Sequence, residues 1–460
     1  MGAITTRRTE HLGGSGRDGD RVTWRNWAGN QASAPVAVER PATEEQLVEI
    51  VKAAAGAGRR VKAVGTGHSF TGIACTDGVM VDPHDYGRLV GHDRTAGTVT
   101  VQSGATLAAL SDELARMGLG LENMGDIDRQ TIAGAVATST HGTGTRFGGL
   151  ATQVVGLRLV TAAGEVLECT PETNSDVFAC ARVGLGALGL VSTITVRCRP
   201  AFNLHAVERA MPVDEILGDF DGFMDQTDHV EFYWVPHTRW ALTKTNTRTQ
   251  EQARPRSRGR EWIDDVLLAN VAFGAMCRVG RRIPSAIPRL SKLIPSTGRI
   301  DYVDRSDRVF TSPRHVRFVE MEYAIPRAVV PEALGRVRRL VDELGTPISF
   351  PVEVRVAAGD DIPLSTASGR ATGHIAVHVY RGTPYDAYFT GVEAIMDDYY
   401  GRPHWGKLHF QTAATLAGRY PRWDAFRSLR RRLDPDGTFS NPYLDRVLGA
   451  ERGALRSTDG

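Results

Sequence analysis

Two short stretches carry most of the side chains able to do chemistry. Phe350-Pro-Val-Glu353-Val-Arg355-Val reads as a strand, and its period of two puts Glu353 and Arg355 on one face. Opposite charges side by side on an apolar strand need partners, either as a surface ion pair or as part of a buried site. His404-Trp-Gly-Lys407 adds an imidazole and an ammonium. A third stretch, Ile375-Ala-Val-His378-Val-Tyr380, turns His378 to the same side as His374, Ala376 and Tyr380. A carboxylate or imidazole in such a group can take a proton, and a guanidinium or ammonium can hold developing negative charge. His374 and His409 read as ordinary polar positions. No histidine pair shows a third metal ligand, so no metal is expected.

Glycine-bracketed loops form the second signal. In Val61-Lys-Ala-Val64-Gly65-Thr66-Gly67-His68-Ser69-Phe70 two glycines follow a strand, where main-chain N–H groups can cradle a phosphate. A longer loop runs from Gly125 through Ile132-Ala133-Gly134-Ala-Val-Ala137-Thr138-Ser-Thr140-His141-Gly142-Thr-Gly144 and is almost free of bulky side chains from Ala133 onward. Small residues there let a planar, charged ligand lie close to main chain. Val183-Gly184-Leu-Gly186-Ala-Leu-Gly189-Leu-Val191 is a third such approach, equally readable as a tight turn between helix and strand. Neither of the first two loops is a Walker A sequence or a strand-borne G-x-G-x-x-G, so the P-loop and Rossmann readings fail.

These pieces must be positioned by elements that the sequence outlines. Thr43 caps a helix whose apolar positions Leu47, Ile50, Val51 and Ala54 share a face, and Arg59–Gly65 is the strand feeding the first loop. Strands are expected at 79–81, 98–101, 154–160 and 191–196, with a helix at 106–117. Beyond Pro200 the aromatic strand 230–235, strands at 317–323, 349–356 and 375–380, and helices at 331–344 and 388–399 form a second sheet-and-helix unit. The basic run Arg254–Arg260 reads as a solvated loop, and Arg427–Leu433 as an amphipathic helix with a solvated basic face.

The 460 residues are 42% hydrophobic and 23% charged, which excludes disordered and fibrous classes. A net charge of +2 provides no general case for nucleic acid or a membrane surface. Cys75, Cys169, Cys180, Cys198 and Cys277 are odd in number and lack C-x-x-C spacing, so neither disulfides nor zinc are indicated. The segment after Arg7-Arg8 is too polar for a signal peptide and no apolar run could span a membrane, so a cytoplasmic protein is expected. Residues 1–22 read as a mobile tail.

Together, the Gly65–Ser69 loop, the Ala133–Gly144 stretch and His404–Lys407 resemble the aldonolactone oxidoreductases of the vanillyl-alcohol-oxidase flavoprotein superfamily. The likeness runs from about Trp24 to Leu448 and is strongest to bacterial L-gulono-1,4-lactone and D-arabinono-1,4-lactone oxidases or dehydrogenases. It implies an α+β, two-domain FAD-linked oxidase fold: an FAD-binding domain at 23–200, a substrate or cap domain at 201–430, and a segment at 431–460 that returns to the first domain through Asp434-Pro-Asp-Gly. It also implies FAD, bonded covalently to His68, with Val64–Phe70, Gly125, Ile132–Gly134, Ala137, Thr138, Thr140–Gly142, Gly144, Gly189, Val191, His404 and Lys407 around the cofactor. Glu353, Arg355, Lys407 and His378 are the implied catalytic residues, with His378 or Glu353 as base. The implied reaction oxidises the C2 hydroxyl of an aldono-1,4-lactone by hydride transfer to flavin N5, with dioxygen or another acceptor taking the electrons. Ala133–Thr140 is the region where oxygen access would be set. Alditol oxidation, a tailoring role in secondary metabolism, and flavin binding without turnover are the other readings.

Overall fold

The computed structural model describes residues 16–18, 21–262, 267, 270–294, 298–345 and 347–450. Most of the expected N-terminal tail lies outside that set, but Gly16–Asp18 pairs antiparallel with the strand Arg21–Arg25, so this part of it is ordered into a small sheet.

The first half of the chain builds two sheets. Val61–Ala63 and Ala37–Glu39 flank Val79–Val81 in a three-stranded parallel sheet. A five-stranded antiparallel sheet has the order Val166–Cys169, Val154–Val160, Leu190–Arg197, Thr98–Gln102, Leu89–Asp93. The helix Glu44–Gly56 starts where its cap predicts: the Thr43 hydroxyl accepts from the Gln46 N–H at 3.3 Å. Its buried face, Leu47, Val51 and Ala54, packs with Val61, Val81, Val160 and Leu190.

An eight-stranded sheet dominates the second half, in the order Arg299–Arg305, Asn203–Pro212, Trp240–Thr249, His229–Trp234, Val352–Ala357, Thr372–Tyr380, Phe318–Pro326, Arg402–Pro403. All of its pairings are antiparallel. Alternation in the central strands separates two faces. Val230, Phe232, Trp234, Val352, Val354, Val356, Ile375, Val377, Val379, Met321 and Tyr323 form one core with the helices Val330–Glu343 and Asp386–Asp397. Val330, Ala333, Leu334, Val337 and Val341 are the buried stripe of the first helix, and the larger of these side chains contribute on the order of 1.5–3 kcal/mol each. The opposite face of the same strands carries Glu231, Tyr233, Glu353, Arg355, His374, His378, Glu320 and Glu322, and it turns toward the first half.

The end of the chain comes back to the first core earlier than residue 431. Trp405, Leu416, Tyr420, Trp423, Phe426 and Leu429 already belong to that core, followed by Tyr443, Leu444, Val447 and Leu448. The helix Trp423–Leu433 also departs from the expected solvated basic face. Arg430 is fully buried, donating to the Gly449 carbonyl at 3.1 Å and to Ser440 Oγ at 3.0 Å, because it ties this helix to the final turn.

Candidate active site

A cleft of about 1200 Å³, counting its open mouth, lies in the first half. Among the residues singled out in the sequence, Val64, Gly65, Thr66, Gly67, His68, Ser69, Ala133, Gly134, Ala137, Thr138, Gly184, Gly186, Gly189 and Val191 line it. The glycines are required by close approach: a Cβ on Gly65 would overlap the Thr131 hydroxyl, and Gly186 and Gly189 sit at φ +59° and +152°. The lining residues include Lys62 and no aspartate or glutamate. Its length of small-residue wall and the absence of carboxylates fit a dinucleotide with a charged pyrophosphate.

His68 stands at the end of the glycine loop with its ring stacked on Trp27 at 5.5 Å. Burial, with Lys407 and Arg129 nearby, pushes its imidazole down to about 4. A neutral imidazole keeps a nitrogen lone pair at neutral pH, as a bond to carbon requires.

Other expected cofactor residues lie elsewhere. Phe70 is buried in the second core beside Trp27 and Phe318. Ile132 is fully buried in the first core. Gly125, Thr140 and Gly142 pack within the first half, and Gly144 meets the second across a seam between the halves. A Cβ on Gly142 would overlap the Met124 carbonyl, and Gly144, at φ +130°, donates its N–H to the Val356 carbonyl at 2.9 Å. The neighbouring Thr143 hydroxyl bonds to the Val230 carbonyl. These glycines let one backbone meet another, which is a packing demand.

The polar sheet face meets the cleft at its His68 end. Phe70 N–H donates to the Gly406 carbonyl at 2.7 Å and the Thr71 hydroxyl to the Trp405 carbonyl at 3.1 Å, so the His404–Lys407 turn is stitched to the histidine loop. Lys407 ion-pairs with Glu320 and lies over the Phe70 ring at 5.3 Å. Arg355 is the hub of a second group: it pairs with Glu353, with Glu231 at 2.7 Å and with Asp126 at 3.5 Å. The Tyr233 hydroxyl donates to Glu353 at 3.0 Å. Glu353 and Arg355 are 6% and 8% exposed, which excludes a surface ion pair.

The carboxylates Glu231, Glu320, Glu322, Glu353 and Asp126 outnumber the fixed cations Arg314, Arg355 and Lys407. Burial and the nearby charges of Asp126 and Glu231 outweigh Arg355 and raise Glu353 above the usual carboxylate range. For Glu320 burial acts in the same direction, but Lys407 and His378 outweigh it and hold the group below that range. His378 bonds through Nδ1 to the Pro351 carbonyl at 3.2 Å, and its Nε2 is 3.5 Å from Glu320. The rings of Phe318 and Phe350 flank it.

His374 and His409, expected as ordinary polar positions, are 2% and 4% exposed. His374 stacks on His141 with centroids 3.6 Å apart, and Glu322 lies 2.5 Å from His141 Nε2 and 3.3 Å from His374 Nδ1. His141, Glu322 and His374 thus bring potential ligand atoms within 4.8 Å of one another, as do Glu320, Glu353 and His378. Sequence spacing showed no third ligand because each trio is assembled by strand register, or across the seam. Sequence reasoning also missed Glu231, Tyr233, Glu320, Glu322, Asp126 and Arg314. The signal for the first four was present: Val230-Glu-Phe-Tyr-Trp and Phe318-Val-Glu-Met-Glu-Tyr alternate polar with apolar residues as Glu353-Val-Arg355 does. Asp126 and Arg314 are loop residues from distant parts of the chain, and no period marks them.

Two family models match different parts of the chain. The D-arabinono-1,4-lactone oxidase family matches residues 194–447, and an FAD binding domain matches 35–170. The chain is 50% identical over 427 residues to an L-gulono-1,4-lactone dehydrogenase of Mycobacterium tuberculosis, covering 93% of this chain and 99% of that protein. It is 32% identical over 435 residues to the L-gulonolactone oxidase of Bos taurus, covering 93% and 98%. In fold it is similar to the crystal structure of cholesterol oxidase from B. sterolicum, with a TM-score of 0.78 at 19% identity over 93% of this chain and 97% of that one. No helix among the described residues is long and apolar enough to cross a membrane.

Proposed function

Because the chain belongs to the D-arabinono-1,4-lactone oxidase family and carries an FAD binding domain, we propose that it oxidises the C2 hydroxyl of an aldono-1,4-lactone such as L-gulono-1,4-lactone. Residues 23–200 would carry FAD, those from 201 to about 404 the substrate side, and the return from Trp405 onward would close the first unit. When bound, FAD supplies the acceptor for the hydride that leaves the carbinol carbon. His68 is the proposed covalent attachment point, and Val64–Ser69, Ala133, Gly134, Ala137, Thr138, Gly189 and Val191 are the proposed cradle.

The observation that carries the reading is the buried, carboxylate-rich sheet face abutting the histidine end of that cleft. Glu353 is the proposed base: its raised affinity for a proton suits it to take the hydroxyl hydrogen, and Tyr233 and Arg355 hold its carboxylate in place. His378 has both ring nitrogens directed at protein groups, which favours a supporting role. Arg355 and Lys407 face the negative charge that grows on the substrate oxygen as its proton leaves, and both stay protonated among their carboxylates. Glu231, Glu320 and Asp126 offer acceptors to the remaining hydroxyls of a polyhydroxylated ring.

The test is anaerobic mixing of the purified protein with L-gulono-1,4-lactone, D-arabinono-1,4-lactone and xylitol, followed at about 450 nm, where oxidised flavin absorbs. Bleaching by a lactone is the expected result, and recovery on admitting air separates oxidase from dehydrogenase. Bleaching by xylitol alone would replace the lactone with an open-chain polyol, and bleaching by none would remove this substrate class.

A further inference from the structure

Lys62 is a buried lysine without a carboxylate. It is 2% exposed, and its ammonium donates to the Gly186 carbonyl at 2.9 Å and to the Phe439 carbonyl at 3.1 Å. Three N–H donors belong to an ammonium, and two are used, so one has no protein acceptor among the described residues. Lys62 is also the one lysine or arginine among the described residues that line the cleft. Burying a charge against neutral carbonyls alone is costly, and burial together with the Arg430 cation pushes Lys62 down to about 7. A methionine or leucine would fill the same strand position at less cost, so the position calls for an acceptor that the protein does not provide.

The place of that acceptor follows from what Lys62 touches. It donates to the carbonyl of Gly186, which lines the cleft with Gly184 and Gly189, whereas the loop of His68 is tied to the His404–Lys407 turn. The cleft wall also includes the apolar side chains Leu47, Val81, Leu159 and Leu190, as a purine face requires.

We propose that Lys62 binds the adenosine half of the cofactor, donating its third N–H to a purine nitrogen or ribose oxygen. The inference rests on the reading of the cleft as the FAD site. The same ammonium fastens the C-terminal return over the cleft. Asp434 accepts the N–H groups of Thr438 at 2.7 Å and Phe439 at 2.8 Å, which shapes the turn that presents the Phe439 carbonyl. Thr438 in turn accepts the Val61 N–H at 2.7 Å.

The experiment compares FAD with FMN, which lacks the adenosine half. In a His68→Ala background, where flavin exchanges freely, cofactor-depleted protein with Lys62 or with Lys62→Met is titrated with each flavin by fluorescence quenching. The expected result is a loss of FAD affinity of tenfold or more with FMN affinity unchanged, and partial recovery in Lys62→Arg. Equal losses for both flavins would make Lys62 a staple of the fold and overturn the proposal, as would no loss for either. If the Lys62→Met protein does not fold, Lys62→Arg and Lys62→Gln carry the same comparison. Failure of the Lys62-containing protein to bind FAD at all would instead remove the reading of the cleft.

Discussion

Arg355 and Lys407 differ in how they are held, and the difference predicts different losses. Arg355 touches Glu231, Glu353, Asp126 and Tyr233, whereas among the described residues the Lys407 ammonium ion-pairs with Glu320 alone. Removing either cation takes away stabilisation of negative charge, so Arg355→Ala and Lys407→Ala should each lower kcat about 10²–10³-fold while flavin absorbance is kept. Arg355→Ala should in addition lower the melting temperature, because it strands buried carboxylates, and Lys407→Ala should do so less. Unchanged turnover in both variants would refute the charge-holding role. For the base, Glu353→Gln should cost more in kcat than His378→Asn. The reverse order in a pH-resolved steady-state comparison would transfer the role to His378.

At the level of elements, what the sequence made legible tracks periodicity. The helices Glu44–Gly56, Leu107–Arg116 and Val330–Glu343 and the strands Val79–Val81 and Val154–Val160 were expected within about a residue or two, because caps and alternation are local signals. Glu353 with Arg355, and His378 with His374, were each placed on one side of their strand for the same reason, whereas the pairing that brings the two strands together was not visible locally. Close backbone packing was not legible: nothing local to Gly142 says that it packs on Met124, nor that Gly144 meets Val356. Nor did a basic sequence like Arg427–Leu433 reveal that one of its arginines is an interior tie. The close packing of Gly142 yields its own prediction. Gly142→Ala should destabilise the protein by about 2 kcal/mol or more in thermal unfolding, since the added methyl meets backbone that cannot move aside cheaply.

Across the whole molecule, burial of neutral histidines sets the response to acid. Burial pushes His229 and His404 down to about 4 and His374 to about 3, from an ordinary value of 6.5. Between those values the unfolded chain binds more protons than the folded one, so stability is full above about 6.5 and falls as pH drops toward 4. Melting temperature measured from pH 8 to pH 4.5 should therefore decline below about 6.5, with unfolding free energy lower on the order of several kcal/mol at pH 5. A flat profile would show that these imidazoles are solvated. The C-terminal return has a different consequence, in the order of biosynthesis. Lys407 completes the charged face, and the Phe439 carbonyl fastens the wall around Lys62, yet both follow the whole first half of the chain in order of synthesis. The face and the wall are therefore completed only once residue 439 has been made, and a chain stopped before residue 404 should retain less flavin than the full chain, read as absorbance at about 450 nm after gel filtration.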